Sequence, residues 1–104
     1  MVITGRKEKE LEMVVQYCNS IGNDNVHYIT GEATNEEDCR KIVEFALKKF
    51  GRIDIAVLAA GVGGHCDFSE TTDLNMLKKM MDVNLYGYVN MTKYLIPHLR
   101  KAKG

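Results

Sequence analysis

The chain has 104 residues, and its 14 Lys and Arg are balanced by 14 Asp and Glu, so the formal net charge is zero. This length allows one small domain, and 45% hydrophobic with 27% charged residues is the composition of a folded rather than a disordered protein. The balanced charge argues against nucleic acid or an anionic membrane surface as the main partner, because both require a basic field.

The cysteines and the apolar runs exclude further classes. Cys18, Cys39 and Cys66 lack the Cys-x-x-Cys spacing of a zinc site, so no metal site is predicted, and they suggest no disulfide framework. No apolar run approaches the roughly eighteen residues of a membrane span, and no basic segment precedes a long apolar stretch at the start. We therefore expect no membrane segment, no signal peptide and a cytoplasmic location for this chain.

The predicted elements begin with a strand at residues 2–4, closed by a glycine. Helical spacing of apolar residues predicts a helix from Glu8 to Ile21, which Gly22 ends. Residues 26–29 predict a second strand. The chain thus starts as strand, helix and strand.

The second half repeats this alternation. A capping box of Thr34 and Glu37 predicts a helix start, and Gly51 ends that helix. Residues 53–60, apolar except for Asp54, predict a third strand covered on both faces. A last helical region begins near residue 72 or 73. Three strand–helix repeats predict an α/β fold with a parallel sheet and right-handed crossovers.

Ligands of open parallel sheets bind beyond the carboxyl ends of the strands, where the first strand is followed by Arg6 and Lys7. Cations just before a helix lie next to the positive end of its dipole, which destabilises the helix by a few tenths of a kcal/mol. A phosphate-binding site at this position would explain why they are present. The planar guanidinium group of Arg6 suits a phosphate well. Two solvated surface cations are the alternative, and position alone favours it.

The next two strand ends offer weaker candidates. Glu32 is placed to accept a hydrogen bond from an amino group, although position alone favours a first-turn acid before the helix cap. Gly61, Gly63 and Gly64 allow a ligand to approach the backbone closely, but they would serve any tight loop.

Asn84 lies within the last helical region, on its apolar side. Asparagine is a poor helix former, disfavoured against alanine by up to about 0.7 kcal/mol, and a buried amide needs hydrogen-bond partners. It is either a satisfied core amide or a polar group held for a site.

Two segments resemble the short-chain dehydrogenase/reductase family. Residues 49–61, KFGRIDIAVLAAG, are similar to the family's helix end and fourth strand, which usually closes in Asn-Asn-Ala-Gly. Residues 81–88, MDVNLYGY, resemble the segment that carries its active-site asparagine. The resemblance covers essentially the whole chain, and residues 86–88 and 99–104 look most like the 11β-hydroxysteroid dehydrogenase-like branch.

The resemblance implies a partial Rossmann-like, doubly wound parallel sheet in the order 3-2-1-4. Residues 1–104 would supply strands 2, 3 and 4 of this NAD(P)-binding domain, which would be incomplete at both ends. The Gly-rich phosphate turn would precede Met1, and the catalytic Ser and Tyr-x-x-x-Lys would follow Gly104. Lacking strand 1, the chain is expected to be marginally stable, or to pair residues 53–60 with its first strand.

The resemblance also assigns roles in binding NADP. Arg6, followed by Lys7, would lie where NADP-preferring members keep a base for the adenosine 2′-phosphate, whereas an NAD enzyme places an acid near this strand end. Glu32 and Ala33 would replace an Asp-Val pair whose carboxylate meets the adenine amino group.

Two more positions take roles from the same resemblance. Ala59, Ala60 and Gly61 would run along the ribose side of the cofactor, although Leu58 and Ala59 replace the family's two asparagines. Asn84 would hold a water in the proton relay behind the catalytic lysine.

The implied activity is hydride transfer between a nicotinamide and a carbonyl or alcohol of a small-molecule substrate, with steroids among the candidates. The resemblance also implies that the complete protein is a homo-oligomer. This chain would be a fragment without turnover of its own.

The alternative is a non-catalytic module that associates with full-length subunits through its last helix, where Gly87 would allow close approach. A longer parent would be cytoplasmic or anchored to the endoplasmic reticulum. A receiver-type signalling domain needs an acid after the third strand, where Ala60 and Gly61 stand.

Overall fold

The computed structural model describes residues 1–64, 67–70 and 73–104. Its sheet consists of two parallel strands, β1 (Val2–Gly5) and β2 (His27–Thr30), joined by helix α1 (Glu8–Ser20). The register pairs the first residues of the two strands with each other and ends on Gly5 opposite Thr30. The first three predicted elements are therefore confirmed.

Helix α2 (Glu36–Phe50) starts one residue later than the capping box predicts. Asn35 is the N-cap, and its Oδ1 accepts a 3.0 Å hydrogen bond from the backbone N–H of Asp38. The carboxylate of Glu37 bonds to Arg40 one turn on, so the predicted Thr34 cap is wrong. The predicted end is confirmed, because Gly51 has φ +74°, a left-handed conformation that favours glycine.

The core lies between α2 and the last helix. Its fully buried centre is Cys39, which exposes 0% of its surface. The buried cluster combines three side chains of α2, one that follows it and two of the last helix: Cys39, Ile42, Val43, Ile53, Met91 and Leu95. These side chains hold the last helix against α2, although few of the chain's apolar residues reach this centre.

The predicted third strand is wrong, because residues 53–60 pair with no strand among the described residues. Ile53 is buried and Leu58 is half-buried, but Ile55 and Val57 each expose 82% of their surface. The expected pairing with β1 does not form, since β1 pairs with β2 alone. A strand needs a hydrogen-bonded neighbour, and the described part of the chain offers none here.

The last helical region has three parts: α3 (Asn75–Met81), a π-helical segment (Asp82–Tyr86) and α4 (Gly87–Ala102). Its start at Asn75 is later than predicted. The side chain of Asp73 accepts a 2.9 Å hydrogen bond from the Asn75 N–H, while Thr72 lies outside the described residues. No helix in the described part of the chain has both the length and the apolar character needed to cross a bilayer.

Contacts between α4 and the loop before α2 bring the end of β2 against the last helix. A Cβ on the buried Gly87 would lie 3.1 Å from the Ala33 Cβ, so glycine permits this close packing. Asn90 Nδ2 donates a 3.0 Å hydrogen bond to the Ala33 carbonyl. Gly87, which the sequence suggested for contact between subunits, thus packs within the chain.

Candidate functional site

The carboxyl ends of the two strands form one edge of the sheet. The N–H of Gly31 donates a 2.9 Å hydrogen bond to the Gly5 carbonyl, which extends the pairing past the last strand residues. Arg6 and Glu32 each lie one residue beyond this bond. The parallel topology therefore brings these two predicted site residues to the same edge.

The two cations at this edge differ in their surroundings. Lys7 occupies the N-cap position of α1 without a side-chain cap, and its Nζ lies 2.9 Å from the Glu10 carboxylate. Arg6 is exposed and forms no hydrogen bond or ion pair with a described residue. Arg6 is thus the unpaired cation of the two, whereas Lys7 forms an exposed ion pair with Glu10 on its own helix.

The loop after β2 is fixed through its backbone. The N–H of Glu32 donates to Asp38 Oδ2 at 3.0 Å, and the Glu32 carbonyl accepts from the N–H of Asn35 at 3.0 Å. The Ala33 carbonyl also accepts a 3.4 Å bond from Cys39 Sγ, and burial raises the pKa of that thiol. The Glu32 side chain stays exposed while its backbone is held.

Asn84 joins the last helical region to the glycine loop. Its Oδ1 accepts from the Val62 N–H and its Nδ2 donates to the Val62 carbonyl, both at 2.8 Å. Asn84 is exposed, so it is not the core amide that the apolar helix face suggested. The amide oxygen and the amide nitrogen of Asn84 both bind the loop. One N–H and one oxygen lone pair of the amide are left for a further partner.

The π-helical segment contains Asn84, and it was not predicted. The N–H of Gly87 donates to the carbonyl of Asp82, five residues back, which places one extra residue in this turn. Single π-turns within helices are frequent at functional sites. The unusual asparagine was a signal of this region, but periodicity did not reveal the π-turn.

The residues after the unpaired segment present open backbone. Ala59, Ala60 and Gly61 are exposed, and a Cβ on Gly61 would be 3.5 Å from Asn84 Oδ1. A Cβ on Gly63 would meet nothing within 4 Å, whereas one on Gly64 would overlap the Met76 side chain. Residues 59–63 therefore leave room for a ligand along the backbone, whereas a side chain at position 64 would require the Met76 side chain to move.

A polar cluster that the sequence did not reveal lies at the start of α2. Glu36 accepts hydrogen bonds from Lys93 and, at 2.8 Å, from the Tyr94 hydroxyl. The bond from Lys93, followed by that from Tyr94, lowers the pKa of the Glu36 carboxyl. These residues are 57 and 58 positions apart in sequence, so only the packing of α4 on α2 brings them together.

A second polar contact lies between α1 and β2. The Tyr28 hydroxyl is 3.0 Å from Glu12 Oε1 and 3.2 Å from Glu8 Oε1. Hydrogen bonding to Glu12, aided by desolvation and the two negative charges, raises the pKa of Tyr28 to about 12. Tyr28 is therefore a neutral hydrogen-bond donor rather than an acid–base group near pH 7.

Chain continuity and a few contacts together link the predicted residues. Arg6 and Glu32 follow the Gly5–Gly31 hydrogen bond, Ala33 follows Glu32 and packs against Gly87, and the π-helical segment leads from Gly87 back to Asn84. Asn84 then reaches the loop at Gly61 through Val62. No group of three His, Cys, Asp or Glu side chains suited to a metal occurs among the described residues.

Comparison with known proteins identifies the family. The sequence profile of the short chain dehydrogenases matches residues 1–104. The chain is 34% identical to 11-beta-hydroxysteroid dehydrogenase-like 3 of Arabidopsis thaliana and 33% identical to 11-beta-hydroxysteroid dehydrogenase A of Sesamum indicum. Both matches cover 100% of this chain, and they cover 34% and 30% of those two proteins.

The fold is similar to solved structures as well. A short-chain dehydrogenase/reductase of unknown function from Caenorhabditis elegans, crystallised with cofactor, matches with a TM-score of 0.88 and 30% identity. That match covers 99% of this chain and 40% of the other. The chain belongs to the short-chain dehydrogenase family, and it spans about a third of the length of the curated relatives it matches.

Proposed function

We propose that the chain forms the adenosine-binding part of an NADP-dependent short-chain oxidoreductase. The observation that carries the proposal is Arg6, an exposed arginine without an ion-pair partner in the described chain, one residue beyond the paired end of β1. A guanidinium group binds a phosphate through two parallel hydrogen bonds. Arg6 would bind the 2′-phosphate that distinguishes NADP from NAD.

The neighbouring groups suit the rest of the adenosine. Glu32 carries an exposed carboxylate on a loop whose backbone is fixed, and a carboxylate accepts hydrogen bonds from an amino group. Ala59, Ala60 and Gly61 present small side chains, so a ribose can approach the backbone. The residues present therefore fit the group that the family resemblance implies, and Lys7 would add positive charge nearby.

In the complete reaction of the family, the bound nicotinamide supplies or accepts a hydride. We propose that Asn84 keeps the glycine loop in position through Val62 and presents its remaining amide groups to a water in the proton relay. Residues 1–104 contain no Tyr-x-x-x-Lys sequence, so we propose no turnover by this chain alone. Assay of the chain with NADPH and a panel of ketones tests this, and cofactor-dependent reduction would contradict it.

The NADP assignment is tested by comparing NADPH and NADH binding to wild-type chain and Arg6→Gln by fluorescence titration. Losing a charged hydrogen-bonding partner of a phosphate is expected to weaken NADPH binding about tenfold or more, because such bonds contribute about 1.5–3 kcal/mol. NADH binding should be nearly unchanged. Lys9→Gln, which removes an exposed cation of α1, is the matched control. An equal loss for both cofactors would refute the 2′-phosphate role.

We propose a carbonyl or alcohol of a small, steroid-like molecule as the substrate of the complete protein. The support is the similarity to two plant proteins named 11-beta-hydroxysteroid dehydrogenases. We also propose a homo-oligomer for the complete protein, a cytoplasmic location for the chain itself, and a cytoplasmic or endoplasmic reticulum location for a longer parent.

A second candidate function is a non-catalytic module that binds full-length subunits. The exposed apolar side chains of the last helical region favour it, including Leu85, Val89 and Ile96 at 45%, 55% and 39% exposure. Co-purification of the tagged chain with a full-length relative tests this function. Val89→Lys should abolish capture, and an unchanged yield would argue against the helix as the contact.

A further inference from the structure

The loop between β2 and α2 is held in part by the start of its own helix. The Glu32 N–H donates to Asp38 Oδ2, and the Glu32 carbonyl accepts from the Asn35 N–H, both at 3.0 Å. Asn35 is the N-cap of α2, and Asp38 lies in the first turn of that helix. These bonds fix the loop relative to α2, but they do not relate it to the last helix.

A side chain of α4 supplies that second connection. Asn90 is half-buried, and its Nδ2 donates a 3.0 Å hydrogen bond to the Ala33 carbonyl, 57 positions earlier in the sequence. The same carbonyl accepts a longer bond, at 3.4 Å, from the weak donor Cys39 Sγ. Among the described residues, Asn90 thus provides the side-chain hydrogen bond that connects this loop to α4.

Packing on α4 determines where the Asn90 amide lies. Met91, the next residue, is buried in the core between α2 and α4. Gly87, one turn earlier on the same face as Asn90, packs so closely that a Cβ there would lie 3.1 Å from the Ala33 Cβ. These two contacts fix the rotation of α4, which directs the amide to the Ala33 carbonyl.

Glu32 and Ala33 have different surroundings although they are adjacent. Ala33 is half-buried and packs against the core cluster, whereas the Glu32 side chain is exposed. A planar peptide unit joins the two residues, so a displacement of Ala33 would move the Glu32 carboxylate as well. The bond from Asn90 therefore restrains the carboxylate to which the proposed function assigns the adenine amino group.

We propose that Asn90 is a positioning residue for adenine recognition, which holds Glu32 where its carboxylate accepts a hydrogen bond from the adenine amino group. This inference rests on the proposed function, because Glu32 has this task only if adenosine binds at the strand ends. Without the bond, the loop occupies the required position for a smaller fraction of the time, and the apparent affinity falls by that fraction. The loss is confined to ligands that carry the amino group.

Fluorescence titration of the chain with NADPH and with deamino-NADPH, in which an oxygen replaces the adenine amino group, tests the proposal. Wild type should bind NADPH about tenfold or more tightly, because hydrogen bonds to charged groups are strong. Asn90→Leu should weaken NADPH binding about threefold to tenfold and deamino-NADPH binding less than about twofold. The matched control is Thr92→Val, which removes a half-buried hydroxyl of α4 that has no hydrogen bond with a described residue.

Glu32→Ala separates the positioning role from the proposed function, since it should abolish the preference for NADPH. If Glu32→Ala abolishes the preference and Asn90→Leu retains it, the positioning role is overturned and the proposed function stands. Equal weakening of both cofactors by Asn90→Leu would indicate a general loss of structure and would also overturn it. A wild-type chain without any preference would overturn the adenine role of Glu32 and the positioning role together.

Hydrogen exchange of the Glu32 amide tests the positioning without a cofactor. Asn90→Leu should speed this exchange about threefold to tenfold relative to Thr92→Val, because the loop opens more often. Asn90→Ala, which also lacks the amide but adds no bulk, should give the same result, so the test does not depend on the folding of one variant. An unchanged rate in both Asn90 variants would overturn the positioning role whatever the cofactor titrations give.

Discussion

Removal of the Asn84 side-chain amide tests how the glycine loop is held. Asn84→Ala deletes two 2.8 Å hydrogen bonds to the Val62 backbone. Each bond contributes about 0.5–1.5 kcal/mol, and the loop is solvent-accessible, so we expect a loss of about 1–2 kcal/mol in the free energy of local opening. The equilibrium for opening of residues 61–63 should therefore rise roughly fivefold to thirtyfold.

Hydrogen exchange of the Val62 amide, followed by NMR, measures this opening directly. The matched control is Asn75→Ala, because Asn75 is an exposed asparagine of α3 whose side chain forms no hydrogen bond with a described residue. Asn84→Asp retains the acceptor for the Val62 N–H but loses the donor, and it should fall between wild type and alanine. Equal exchange rates in Asn84→Ala and Asn75→Ala would refute the role assigned to the amide.

Two further predictions concern stability. The pKa of Glu36 is lower in the folded chain than its ordinary value of 4.5. The ionised Glu36 therefore stabilises the fold at pH values above 4.5, and this stabilisation is lost as the pH falls through the pKa of the folded state. Urea unfolding between pH 6 and pH 3 should show a smaller pH dependence for Glu36→Gln than for wild type, with Glu70→Gln as control; equal profiles for all three would contradict this. Gly51→Ala should lower the free energy of unfolding by about 1–2 kcal/mol, because Gly51 has φ +74°, whereas Gly63→Ala should have little effect; equal losses in thermal melts would exclude a conformational cause.

The sequence predicted the elements whose signals are local. Periodicity predicted α1 and α2, and the parallel topology correctly placed Arg6 and Glu32 at one edge. The predicted N-cap of α2 was wrong by one residue. Thr34 and Asn35 are both good N-cap residues, and the backbone conformation selects Asn35.

Features that depend on distant partners were not predictable in the same way. Residues 53–60 have the composition of a strand but lack a hydrogen-bonded neighbour, so composition alone gave the wrong structure. The partner of Asn84 lies 22 positions away, and no local pattern indicates it. The roles of Arg6 and Glu32 in cofactor binding, and the marginal stability expected from the missing strand, stay predictions.

The last helical region also acts as a spacer between two loops. Asn84 holds the loop at Val62, and Gly87, three residues later, packs against the loop at Ala33. Since successive residues of a helix point in different directions, about 100° apart in an α-helix, a single insertion between these two positions would rotate one contact away from its loop. The number of residues between Asn84 and Gly87 thus sets the distance between the two loops. An insertion before Asn75 would leave this number unchanged.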